Sequence, residues 1–365
     1  MFGADEPGCP PLAPDRRAWL DGFDRAAIET RLREHVERLP APRHRLADPA
    51  SYETAEAYVL ESLAAAGWVG ERRPYQLENA LGIRDCPNDQ VPETHVYPVL
   101  HGANIVADRV GSDPTLPPLL VGAHLDTIRG SPGADDNGSG ISVLLELARL
   151  TADARLTRGL RLALFDMEEI GLFGSAVLAR DGAGAGQPSG ALILESVGYY
   201  SDRPGSQHLL PGVGLLYRGQ VRRIRRHRCA GDFTLIVYRG DSTPLAVALA
   251  QNLVHVAGPN SVILMRDPAN LPGLGRVLRR LLPWIDQFAR SDHQSFWRHE
   301  VPAIQVTDTA NFRNPAYHEA TDLPDTLDYP RLAGLTIALT GAVAELAGWV
   351  RTPPPRPRSS RAGAS

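Results

Sequence analysis

PLLVGAHLDTIRGSPGADDNGSGISVLLELARL, residues 118–150, is an apolar run that stops at a histidine, followed by a glycine-rich turn and an amphipathic run. Pro118–His124 reads as a buried strand and Gly138–Leu150 as a helix, with Asp135 and Asp136 in the turn between them. Working outward, Asn104–Arg109 reads as a strand before this unit. Leu160–Phe165 follows as a strand, Gly171–Ala179 as a helix and Ala191–Glu195 as a strand. Such alternation predicts an α/β fold, a three-layer sandwich with a mixed, largely parallel central sheet and helices on both faces.

Toward the N-terminus, Ile28, Leu32, Val36 and Leu39 share one face of a helix predicted over 22–39, and a second helix is predicted over 51–66, closed by Gly67. Residues 1–45 are expected to form an N-terminal segment with one helix, and 46–350 the main domain. Residues 201–230 break the rhythm with the basic run RRIRRHR at 222–228. The chain is acidic overall, with a formal net charge of −4, and aromatic residues are not interleaved with these arginines. That favours a loop-rich, solvated insertion over a nucleic-acid patch. The rhythm resumes with strands at Asp232–Val237 and Pro302–Thr307 and a helix near Tyr329–Val350. The tail at 351–365, rich in proline and small polar residues, is expected to be disordered.

Composition excludes several chemistries. All 38 basic residues are arginine, so neither a Schiff-base lysine nor a P-loop lysine is available. Three cysteines, Cys9, Cys86 and Cys229, lack metal-type spacing. No GxSxG elbow or GxGxxG fingerprint marks a serine hydrolase or a dinucleotide site near the glycine-rich turns. No apolar run approaches the ~20 residues of a membrane helix. The opening MFGADEPGCPPLAPDRR has no signal-peptide pattern, which gives the expectation of a cytoplasmic protein, or a secreted one if a leader has been removed.

Five polar clusters fall after predicted strands, where open α/β sheets bind ligands. They are AHLD with His124 and Asp126, PGADDNGSG, FDMEE with Glu168 and Glu169, LILESVGYY with Glu195, and NPAYHEATD with Tyr317 and His318. Singly, each has a structural reading as a helix cap, a turn or a hydrogen-bonded histidine. Together they converge acids and imidazoles on one sheet edge, and a divalent metal offsets their repulsion.

The order AHLD, PGADDNGSG, FDMEEIGLFGS, LESVGY, SDHQSFW and YH resembles the di-zinc aminopeptidase family, across roughly residues 50–350. Glutaminyl cyclases, glutamate carboxypeptidases and the catalytically silent transferrin receptor ectodomain share that family. The resemblance implies a zinc-dependent exopeptidase acting on peptides, with two Zn2+ and neither nucleic acid nor membrane as partner. His124 and Glu195 would bind one zinc, Glu169 and His318 the other, and Asp136 both. Asp126 would hold the other nitrogen of His124. Glu168 would be the general base and Tyr317 an oxyanion donor, while Asp292 and His293 would sit at the pocket rim or just behind the ligands. A cis peptide bond is implied between Asp136 and Asn137. A glutaminyl cyclase-like acyltransferase and a non-catalytic binding module are the alternatives. The complete ligand set and the EEIGLFGS stretch favour hydrolysis.

Overall fold

A computed structural model of the chain describes residues 10–84, 93–182, 186–271 and 273–349. Eight strands form one sheet: β1 (Gly70–Ile83), β2 (Thr94–Arg109), β3 (Leu119–His124), β4 (Leu160–Phe165), β5 (Gly190–Leu194), β6 (Thr234–Tyr238), β7 (Val262–Arg266) and β8 (Ala303–Thr307). Their order is β1-β2-β4-β3-β5-β8-β6-β7. The central strands β4, β3, β5 and β8 run parallel, β2 and β6 flank them antiparallel, and β7 is parallel to β6. The expected mixed sheet is therefore present.

Eleven α-helices are found among the described residues: α1 (Pro14–Asp21), α2 (Arg25–Arg38), α3 (Pro49–Ala65), α4 (Gly140–Leu150), α5 (Phe173–Asp181), α6 (Val213–Leu216), α7 (Arg218–Arg226), α8 (Thr243–Ala257), α9 (Gly275–Leu281), α10 (His293–Arg298) and α11 (Tyr329–Leu346). Because strand side chains alternate, Leu119, Val121 and Ala123 of β3 enter one core with α2, α3, α4, α8 and α11. Leu120 enters the other, with residues of α5, α6, α7 and α10. Both faces of β3 are buried, as its unbroken apolar run requires. No helix among the described residues is long and apolar enough to cross a membrane.

Four expectations change. The N-terminal segment holds two helices where one was expected, because Asp24 accepts from the Ala27 amide (3.0 Å), caps α2 and separates it from α1. The long hairpin β1–β2 extends well beyond the predicted strand at 104–109. Its β1 half is an edge strand with Pro74 and many exposed polar residues, so it lacks a clean apolar alternation. A further unit, α8 with β7, lies between the strands predicted at 232 and 302. Finally, residues 201–230 are not simply a solvated loop. Val213 and Leu216 of α6 and Val221 and Ile224 of α7 are buried in the second core, a helical stripe that the dense arginines obscure in the sequence. The tail at 351–365 lies outside the described residues.

Candidate active site

Strand ends and one tight turn bring the polar clusters together. His124 ends β3, Glu168 and Glu169 follow β4, and Glu195 follows β5, so the three parallel strands deliver them to one carboxyl edge. Asp136 comes from the turn before α4. Gly133 opens that turn at φ 62°, and a side chain there would collide with the Thr127 methyl and the Asp136 carbonyl. Asn137 ties the turn to the sheet by donating to the Leu194 carbonyl (2.8 Å). The Asp136–Asn137 peptide bond is cis, as the resemblance implied.

At the centre lies Asp136. Its Oδ1 is 3.0 Å from His124 Nε2, and its Oδ2 is 3.1 Å from His318 Nε2. Glu195 Oε2 approaches His124 Nε2 at 3.3 Å, and Glu169 Oε2 approaches His318 Nε2 at 3.1 Å. Two clusters result, His124–Asp136–Glu195 and Asp136–Glu169–His318, with Asp136 common to both. These contacts are short, yet His124 Nε2, His318 Nε2 and both Asp136 oxygens make no hydrogen bond although buried. Four buried polar atoms without hydrogen bonds are expensive, and they converge in two groups. Two imidazoles with three carboxylates form a donor set suited to zinc, so the residues present fit a metal.

Electrostatics agree. Burial disfavours a charged His124, yet Glu195, Glu168, Asp126 and Asp136 outweigh it and raise its pKa well above the imidazole range. Burial likewise opposes charge on His318, but Glu169 and Asp136 push its pKa up to about 10. The cluster thus demands positive charge, whether from protons or from a cation. Burial raises the Glu168 carboxyl well above its ordinary value, with Glu195, Asp292 and Glu169 adding to it against the pull of His124.

Several supporting roles differ from expectation. Asp126 holds His124 through its main chain: the carbonyl lies 3.0 Å from Nδ1, whereas the carboxylate stands off at 3.6 Å. With Nδ1 donating there, Nε2 presents its lone pair to the cluster. The Asp126 carboxylate instead accepts from the amides of Glu168 (3.0 Å) and Glu169 (3.1 Å), fixing the turn that carries both glutamates. Asp292 and His293 are not at the rim. Both are fully buried, because the start of α10 turns inward, and His293 Nε2 donates to the Phe288 carbonyl (2.8 Å). Burial lowers the His293 pKa to about 4 and raises that of Asp292 to about 7. Their neighbour Ser291 lines the cavity and donates to Glu195 Oε2 (2.8 Å).

Asp322 and Arg43 were not anticipated. The Asp322 carboxylate accepts from the Asp135 (2.9 Å) and Asp136 (3.1 Å) amides, and its place in the quoted NPAYHEATD was a usable signal. Arg43, fully buried, donates to the carbonyls of Leu125, Pro132 and Gly133, bracing both loops around the site. Nothing local marks it. Asp135 is structural, accepting from the Gly198 amide and from Asn314 Nδ2, both at 2.8 Å.

A cavity of about 550 Å³ opens beside the cluster, and Glu168, Glu169, Glu195, Tyr317 and His318 line one end. Tyr317 stacks on the His318 ring, with centroids 3.9 Å apart and planes 18° apart. Away from the cluster its walls include the apolar Leu210, Val213, Ile224, Val237, Met265 and Phe288, which belong to or pack on the second core.

Residues 104–202, the segment that carries the clusters of His124, Asp136, Glu168, Glu169 and Glu195, match peptidase family M28. An uncharacterised Escherichia coli (strain K12) protein, YfbL, is 35% identical over 245 residues, covering 63% of this chain and 67% of that protein. The chain belongs to peptidase family M28. Another relative, leupeptin-inactivating enzyme 1 of Streptomyces exfoliatus, is 31% identical over 160 residues, or 43% of this chain. The chain spans only 31% of that enzyme's length. The M28 fold recurs in the aminopeptidase of Aneurinibacillus sp. strain AM-1, with a TM-score of 0.60 at 14% identity, covering 91% of this chain and 96% of that one. It recurs also in Porphyromonas gingivalis glutaminyl cyclase, with a TM-score of 0.56 at 17% identity, covering 89% and 99%.

Proposed function

We propose that this M28 protein is a zinc-dependent aminopeptidase that releases N-terminal residues from peptides. The observation that carries the reading is the buried pair of clusters sharing Asp136, in which His124 Nε2, His318 Nε2 and both Asp136 oxygens make no hydrogen bond. His124, Asp136 and Glu195 would hold one ion, and Asp136, Glu169 and His318 a second. Zinc bound there supplies Lewis acidity, polarising a carbonyl and acidifying water.

The chain's own groups supply the proton traffic. Glu168 lines the cavity beside the clusters without belonging to either. Its raised pKa suits a group that takes a proton from the attacking water and returns it to the leaving amine. Burial raises the Tyr317 pKa well above the phenol range, so its hydroxyl keeps its proton and can donate to a developing oxyanion. The apolar walls of the cavity accommodate a large aliphatic or aromatic side chain and offer no carboxylate to a basic one.

A panel of aminoacyl chromogenic amides tests this reading. Leucine, methionine and phenylalanine amides should be cleaved in preference to aspartate or arginine amides, and a chelator should abolish cleavage until zinc is restored. Release of ammonia from N-terminal glutamine peptides without cleavage of any amide would transfer the assignment to an acyltransferase. Ser291→Ala frees the Glu195 carboxylate from its hydrogen bond. It should weaken zinc binding at the His124 side by about 10–100-fold, read by chelator competition. Unchanged affinity would remove Ser291 from the site's support.

A further inference from the structure

One side of the molecule is strongly basic although the chain is acidic overall. From residue 203 to 231 there is no Asp or Glu, while Arg218, Arg222, Arg225 and Arg226 lie on α7 at i, i+4, i+7 and i+8. That spacing places the four on one helix face, where they are exposed around a shallow concavity. The opposite face of α7, with Gln220 and Ile224, is buried, and Val221 forms the buried floor of the concavity. Like charges held this close repel one another unless an anionic partner offsets them.

A second helix adds apolar surface. Leu274, Val277 and Leu281, on and just before α9, are 37%, 49% and 68% exposed, and their i, i+3, i+7 spacing makes one outward stripe. Arg276 and Arg280 flank the stripe, and Arg279 pairs with Asp286 at 2.6 Å. Leu278 and Leu282 turn inward to the core that holds Val213, Leu216 and Tyr217. The Tyr217 ring, between α6 and α7, lies 6.4 Å from that of Trp284, just beyond α9, and the three helices border the same core. Leu215 of α6 is a further exposed aliphatic, at 65%.

We infer that α6, α7 and α9 form a face that rests on the surface of an anionic lipid bilayer, the arginines meeting phosphates and Leu215, Val277 and Leu281 entering the acyl boundary. This departs from the expectation of no membrane partner and concerns peripheral contact, not spanning. Exposed aliphatics between arginines suit lipid. A nucleic acid is better served by exposed aromatic rings, and here Tyr217 is buried. A second copy of the chain would set two identical basic faces against each other. Val213 and Ile224, on the inner side of the same helices, wall the substrate cavity, so docking would bring that cavity close to the bilayer.

Flotation of the full chain with vesicles of phosphatidylcholine alone, or mixed with phosphatidylglycerol, tests the inference independently of any activity. Wild type should float with the mixed vesicles at low salt and be released at high salt, because the attraction is screened. Combined Arg222→Glu, Arg225→Glu and Arg226→Glu should lower partitioning by at least about 100-fold. Leu281→Ser, an exposed change that leaves the fold unaltered, should lower it by about tenfold and leave amide turnover unchanged. Equal capture by pure phosphatidylcholine, no capture, or wild-type capture of Leu281→Ser would overturn the inference. So would tighter binding to duplex DNA than to the mixed vesicles, or a dimer on gel filtration that Leu281→Ser dissociates.

Discussion

In Glu168→Gln, amide turnover is expected to fall by about 10²–10⁴-fold while zinc content stays at the wild-type level. Glutamine keeps the size of the side chain and its hydrogen-bonding capacity, but it cannot take a proton from water. Glu168 belongs to neither ligand cluster, so its loss as a base should leave the metal in place. Glu169→Gln, one residue along, should behave differently. Its Oε2 faces His318 Nε2 at 3.1 Å, within the Asp136–Glu169–His318 group. An amide oxygen is a poorer zinc ligand than a carboxylate, so that variant should lose zinc first and activity in consequence. Zinc analysis and turnover, measured on both proteins, separate the roles. Metal lost from Glu168→Gln and kept by Glu169→Gln would reverse the two assignments, and full activity in Glu168→Gln would end the general-base role.

Asp136→Ala should be more damaging still, because one carboxylate serves both groups. Its two oxygens face different imidazoles, Oδ1 toward His124 and Oδ2 toward His318. Removing it takes one ligand from each cluster at once, and the tightly bound zinc should fall from two equivalents to none. Turnover should drop to the background rate, and added zinc should no longer raise the melting temperature as it does for any protein that binds it only when folded. Glu195→Ala is the control: it touches only the His124 side, so one equivalent should remain. One tightly held zinc in Asp136→Ala would show that this residue is not shared.

The strand–turn–helix unit at 118–150 and its repetition were readable because strand and helix periodicities are local. The same locality made the candidate residues visible, since a carboxylate or imidazole ending an apolar strand lies at a sheet edge whatever surrounds it. His124, Glu168, Glu169 and Glu195 all have this address, and the structure brings them together with Asp136 and His318. Periodicity failed where burial is one-sided or interrupted. The half-exposed β1 carries no apolar alternation, and the arginines of α7 concealed Val221 and Ile224.

The supporting contacts could not be read in advance, for a different reason. Whether Asp126 reaches His124 with its carboxylate or its carbonyl depends on a turn whose amides, those of Glu168 and Glu169, come from another strand. Whether Asp292 and His293 face solvent depends on how the start of α10 meets the second core, and they are buried while Ser291 faces Glu195. Arg43 finds three of its carbonyl partners 82 to 90 residues away. The alternating fold and the candidate site residues were legible in the chain because both follow from residue type and local spacing. The hydrogen-bond partners and the shape of the pocket follow instead from packing between segments distant in the chain.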